Sequence, residues 1–121
     1  MQNLVTSLEL SKRMKELGAV QESERIWISH IWREQKEYNL MSASNEEGRM
    51  NLIASGYDVI SAFDPSELGE MLPPNYEISR NRIGFWFCQK QNDEDEVMQG
   101  QPSMAEAMGE TWCYLKDNNL I

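Results

Sequence analysis

The residues able to do chemistry in this chain are few and scattered. There is a single histidine, His30, and there are two cysteines, Cys88 and Cys113. Nucleophilic catalysis needs a nucleophile, a base and an orienting acid that meet in space. Ser29 beside His30 cannot supply this, because adjacent strand residues point to opposite faces. His30, Cys88 and Cys113 lack the closely paired ligands of zinc sites, so no metal is expected. The cysteines read as buried, reduced thiols. The run Asp93-Glu94-Asp95-Glu96 offers oxygen ligands, but it lacks the spaced acids and the turn glycine of a calcium loop. It reads as a solvated acidic loop suited to a basic partner. Glu106 and Glu110 share a helix face at i, i+4, which is ordinary for exposed acids and is not the facing pair of a glycosidase. The seven glycines form neither a G-x-G-x-x-G nor a Walker pattern. No cofactor and no enzymatic activity are expected.

Charge narrows the partner class. The net charge is −9, with seven Lys/Arg against nine Asp/Glu in residues 1–60 and four against eleven in residues 61–121. Nucleic acid is disfavoured, since its binding depends on neutralising phosphates. Arg80, Arg82 and Lys90 flank the aromatic residues Phe85, Trp86 and Phe87, but the overall field opposes a stacking platform for bases. A basic protein surface is the partner such a field would steer. The four tryptophans, Trp27, Trp32, Trp86 and Trp112, are first of all core fillers, and tryptophan is also favoured at binding hot spots.

These groups must be carried by a core, and at 121 residues a single domain is expected. A chain of this length buries roughly two thirds of its unfolded surface. No stretch approaches the roughly 18 to 20 apolar residues of a membrane span. The N-terminus has no basic leader followed by a long apolar run, so a cytoplasmic protein is expected.

Thr6 and Glu9 can form a capping box that opens a first helix carrying Leu10, Met14 and Leu17, with Gly18 as its stop. Arg25 to Arg33 predicts a strand, with Ile26 and Ile28 alternating with Trp27 and Ser29 and apolar groups on both faces. A helix competes there, because Ile28, Ile31 and Trp32 also suit a period of 3.6. Asn45 to Gly48 predicts a turn, Met50 to Ala54 a weak strand, and Tyr57 to Ala62 a better one, the last two joined through Gly56 as a hairpin.

Asp64-Pro65-Ser66-Glu67 predicts a capped short helix with Leu68, Met71 and Leu72 facing inward, ended by Pro73-Pro74. Tyr76 to Ser79 predicts a short strand. Arg82 to Lys90 predicts the strongest one, with Ile83, Phe85 and Phe87 opposite Trp86 and Cys88. Asn92 to Gln101 reads as an acidic loop. Ser103 and Glu106 form a capping box for a last helix with Met104, Met108, Thr111, Trp112 and Leu115 on its inner face, stopped at Asn118-Asn119 with Leu120 folding back. Helices at the ends and strands between predict an α+β domain spanning residues 1–121. A mainly antiparallel sheet of three to five strands is expected, with the first and last helices on one face and a short helix in the middle.

Three stretches, LELSKRMKELGAVQES (8–23), SAFDPSELGEMLPP (61–74) and SMAEAMGETWCYLKDNNLI (103–121), resemble small acidic proteins encoded by tailed bacteriophages and prophages. In that group a helix ending in a leucine-glycine step precedes an aromatic strand. A short helix ending in Leu-Pro follows, and a tryptophan-bearing helix closes the chain. The likeness covers about 50 of the 121 residues, and Lys36 to Arg49 departs from it. The resemblance implies a bacterial or phage setting and transfers no active-site residue. The functional expectation is a non-enzymatic protein that acts by binding another protein, including by inhibiting a host nucleic-acid enzyme through displayed carboxylates. Its candidate contact residues are Trp27, Trp32, Trp86, Trp112 and the Asp93, Glu94, Asp95, Glu96 run. The alternatives are a self-associating accessory protein, as a homodimer, and a small-molecule binder whose pocket the four tryptophans line.

Overall fold

The computed structural model describes residues 4–30, 37–42, 46–90 and 99–121. Its element order is α1 (Leu8–Glu16), β1 (Arg25–His30), β2 (Asn39–Ser42), α2 (Glu46–Ala54), β3 (Tyr57–Ala62), α3 (Pro65–Met71), β4 (Tyr76–Arg80), β5 (Trp86–Lys90) and α4 (Met104–Asp117). The architecture is α+β with antiparallel strand pairs. In place of one continuous sheet, the described strands divide into a three-stranded sheet in the order β2-β1-β3 and a separate pair, β4-β5.

Helix α1 is capped by Ser7, whose side chain accepts from the Leu10 N–H at 3.3 Å. The expected cap, Thr6, is drawn inward instead. Its hydroxyl pairs with Ser11 Oγ at 2.7 Å and accepts from the Phe63 N–H at 3.1 Å. A buried residue that ties α1 to the end of β3 is worth more as a tertiary bond than as a local cap. At the other end Gly18 adopts φ 94°, and its N–H and that of Ala19 reach back to the carbonyls of Lys15 and Met14. This is the Schellman arrangement, which asks for a left-handed residue at that one position.

Strand β1 is central and apolar on both faces, and both faces are covered. Ile26, Ile28 and Val59 pack with Leu52 of α2 on one side. Trp27, Ile60 and Ala62 pack with Val5 and Leu8 on the other. The cover on the first side corrects the sequence reading. Residues 46–54 are a helix, so there is no turn at Glu46 to Gly48, no strand from Met50 to Ala54 and no hairpin through Gly56. Glu46 and Glu47 suit the positive end of a helix. The apolar residues that follow have no clear period, because Met50 and Ile53 are exposed while the polar Arg49 is buried. Arg33 and Trp32, at the end of the expected first strand, lie outside the described residues, as does Asn45.

Helix α3 forms as read. Asp64 accepts from the Glu67 N–H, Glu67 accepts from the Asp64 N–H, both at 2.9 Å, and Leu68 is fully buried. Strand β5 begins later than expected, at Trp86. Residues Arg82 to Phe85 form a bend because the Asn81 side chain accepts from the N–H groups of Ile83 and Phe85. On its far side β5 meets Gln101, which exchanges two hydrogen bonds with Trp86 at 2.8 and 2.9 Å.

Helix α4 starts at the Ser103 cap and ends as predicted. Asn119 takes φ 54°, and the Leu120 N–H returns to the Leu115 carbonyl at 2.8 Å. Met108, Thr111, Trp112 and Leu115 are buried. The helix packs on β5, α3 and α1, while α1 packs on β3. The terminal helices therefore do not share one sheet; each lies on its own, and they join the two halves where they touch. At that junction Gly109 is required, since a Cβ there would sit 2.6 Å from Leu10 Cδ2 and 3.0 Å from Thr6 Cγ2.

Candidate functional site

Among the described residues, the expected contact tryptophans do not converge. Trp27 is buried under the N-terminal segment and its Nε1 donates to the Thr6 carbonyl at 3.1 Å. Trp112 is buried in the main core, with Lys116 Nζ 5.8 Å from its ring. Trp86 is half-buried at the edge of that core, with the Arg80 guanidinium 5.5 Å away. Trp32 and the acids Asp93, Glu94, Asp95 and Glu96 lie outside the described residues. A single pocket lined by the tryptophans is thus not formed by Trp27, Trp86 and Trp112.

The potentially reactive groups lie on three different elements, β1, β5 and α4. His30 ends β1, opposite Tyr57. Cys88 and Cys113 are buried and are not joined in a disulfide. Burial pushes the Cys113 thiol up in pKa, more than the neighbouring Arg13 lowers it, so the reactive thiolate is disfavoured. Among the described residues no group of three or more His, Cys, Asp or Glu side chains is placed to hold a metal ion, and no helix is long and apolar enough to cross a membrane.

A cleft of about 530 Å³ opens where the C-terminal turn of α1, helix α3 and the end of α4 meet. Ala19, Phe63, Met71 and Trp112 supply its apolar wall, and Glu22, Glu67, Glu70 and Lys116 its charges. Local sequence explains the placement of most of these groups. The Schellman turn at Gly18 throws Ala19 inward. The Asp64 capping box aims α3 so that Leu68 enters the core and Glu67 and Glu70 stay at the mouth.

The loop that forms the remaining wall is fixed from several directions. Gln21 donates to the Ala19 carbonyl at 2.9 Å and accepts from the Ser61 N–H at 2.8 Å. From behind, the buried Arg49 guanidinium donates to the carbonyls of Gln21 and Ser23. No periodic or capping signal in the sequence marks residues 20–24. A lone arginine just before the Met50 to Ala54 run was the only trace of this bracing.

The three carboxylates of the cleft differ in role. Glu67 takes the Asp64 N–H on one oxygen and the Glu24 N–H, at 3.0 Å, on the other. Burial raises its pKa, outweighing those hydrogen bonds. A carboxyl with a raised pKa in a cleft is a candidate acid, but both oxygens here already hold main-chain donors, which makes Glu67 a structural brace. Glu22 and Glu70 are exposed and free to meet a ligand.

A second, smaller cleft of about 310 Å³ lies beside Trp27. Its floor is crossed by Glu106. The Ser103 hydroxyl caps Glu106 as predicted, accepting at 3.1 Å, yet the Glu106 carboxylate does not return to Ser103. It accepts from the N–H of Ser7 at 2.5 Å and from the Ser7 hydroxyl at 3.2 Å, so one acid serves the starts of both α1 and α4. The opposing field of two helix N-termini attracts that charge. Comparison with known proteins finds no matching family model, no matching curated protein and no matching solved structure.

Proposed function

We propose that this protein is a small acidic binding protein, not an enzyme, that grips a basic and partly apolar segment of another protein in the larger cleft. The reading rests on one juxtaposition: an apolar wall of Phe63, Met71 and Trp112 beside the solvent-facing carboxylates of Glu22 and Glu70. A lysine or arginine stem lies well along such a wall while its charged end meets the acids. The acidic balance of residues 61–121 attracts a basic surface to the chain. The likeness to phage and prophage proteins supports a bacterial host protein as the partner class, a nucleic-acid enzyme with its basic surface among them.

The test uses short peptides that alternate lysine or arginine with leucine, titrated at low ionic strength and followed by tryptophan fluorescence. Binding should weaken steeply with salt. The double change of Glu22→Lys and Glu70→Lys should reduce affinity at least tenfold while leaving the fold intact. No binding at low salt, or binding indifferent to the double change, overturns the reading.

A further inference from the structure

The bend between β4 and β5 gathers basic and apolar groups within the acidic half of the chain. Residues 61–121 carry four Lys/Arg, and two of them, Arg80 and Arg82, stand here, both exposed. Ile83 and Phe85 beside them are exposed as well. The bend is held in one shape. The Asn81 side chain accepts from the Ile83 N–H at 3.1 Å and the Phe85 N–H at 2.9 Å, and the Asn81 N–H donates to the Phe85 carbonyl at 2.9 Å. A shape fixed in advance loses little conformational freedom when it docks.

This tip and the acidic cleft lie at opposite ends of α4. Trp86, at the base of the tip, exchanges hydrogen bonds with Gln101, just before the Ser103 cap. Strand β5 then runs along the helix, and the Cys88 carbonyl accepts from the Thr111 hydroxyl at 3.1 Å. The bend therefore points back past the start of α4, whereas Lys116 near the other end lines the cleft. About 20 Å of helix separates Ser103 from Lys116. A chain cannot bring its own tip into its own cleft, but a second copy can.

We infer that the cleft receives the tip at residues 80–85 of a second copy of this chain, an occupant that rests on the cleft being the seat for basic, partly apolar segments proposed above. The two surfaces are complementary. The cleft presents Glu22, Glu67 and Glu70, three acids to the one cation Lys116, beside its apolar wall. The tip presents two guanidinium groups and an isoleucine. Arg82 meets the exposed acids while Ile83 lies against the wall. The cleft volume of about 530 Å³ is within the span of roughly 300–1,000 Å³ typical of sites that enclose a small ligand. Nucleic acid and an anionic membrane surface would also suit an arginine-bearing tip, but the net charge of −9 opposes both. Each copy offers one tip and one cleft, so the contact is heterologous and copies add head to tail. Such an interface is small and the association weak, and a foreign basic segment competes for the same seat.

Sedimentation of the full chain at low ionic strength should show a mass that rises above one chain with concentration and falls back with salt. Arg82→Ser with Ile83→Ser should weaken this association at least tenfold, and so should Glu22→Lys with Glu70→Lys, both with unchanged circular dichroism. An equal mixture of the two double variants should associate again and stop at two chains, because one working tip and one working cleft remain per pair. The lysine–leucine peptides that test the cleft should dissolve the wild-type assembly. They also separate the two ways of failing. Peptides that bind while the wild-type chain stays monomeric at its highest soluble concentration overturn the second-copy occupant and leave the cleft reading standing. Peptides and chain that both fail to bind overturn the two together. Self-association indifferent to the tip variant, or a mixture that stays monomeric, also overturns the tip as occupant.

Discussion

Strand β1 has side chains packed over both of its faces and a strand on each side of it, whereas β4 has β5 on one side and, among the described residues, no strand on the other. The two sheets are made of similar residues, so enclosure rather than composition separates them. In the first sheet Ile26 is fully buried and Trp27 nearly so. In the bend that joins the strands of the second, Ile83 is 79% exposed and Phe85 42%. Apolar area removed from water stabilises a fold, and apolar area left in water is available to a partner. The first sheet therefore has its central strand enclosed on both faces, whereas the hairpin end of the second leaves apolar surface in solvent.

The largest effect should separate those two regions. Ile26→Ala removes a buried branched side chain and should cost about 3 kcal/mol, within the usual span for such truncations. Ile83→Ala, at the tip of the second sheet, should stay within about 0.5 kcal/mol. Urea midpoints for the two variants give the contrast; equal costs would mean that the difference in enclosure is wrong.

Next in size is the junction between the halves. Gly109→Ala gains roughly 1 kcal/mol of helix propensity. It also forces a methyl group against Leu10 and Thr6, both buried, at an overpacking cost of about 1–3 kcal/mol. The net result should be destabilisation of about 1 kcal/mol, read by thermal unfolding. A stabilised variant would show that α1 and α4 can separate, and that the two sheets are less firmly joined than the contact implies.

The smallest effect concerns pH. Burial raises the pKa of Glu67 in the folded chain above its unfolded value. The stability linked to its neutral form is present below the unfolded carboxylate pKa and is lost as pH rises through the folded one. Relative to Glu67→Gln, the wild-type melting temperature should therefore fall between the acid side of the carboxylate range and neutrality. A difference that is flat across that window would leave Glu67 without the burial assigned to it, and would loosen the brace between α3 and the loop that walls the cleft.

Two acids show how far local sequence carries. Glu67 and Glu106 each stand three residues after a cap, in the same motif. Glu67 closes its box at Asp64 and in addition reaches Glu24. Glu106 leaves its box open and binds Ser7, 99 residues away in the chain. The motif located both helix starts, because a cap is an interaction between near neighbours. It could not say where the second carboxylate goes, because that depends on which helix end is brought alongside.

The same division runs through the molecule. Helix stops at Gly18 and Asn119, the cap at Asp64, and the two-sided apolar pattern of β1 and β3 were determined by the sequence itself, through bonds and spacings within a few residues. Helix α2 and the bracing of residues 21–23 by Arg49 were not, since a nine-residue helix with exposed Met50 and Ile53 has no readable face. Nor could spacing reveal that the strands split into two sheets or that a cleft forms between three helix ends. Those features are decided when distant segments compete for the same buried surface, and only the tertiary structure records which of them wins.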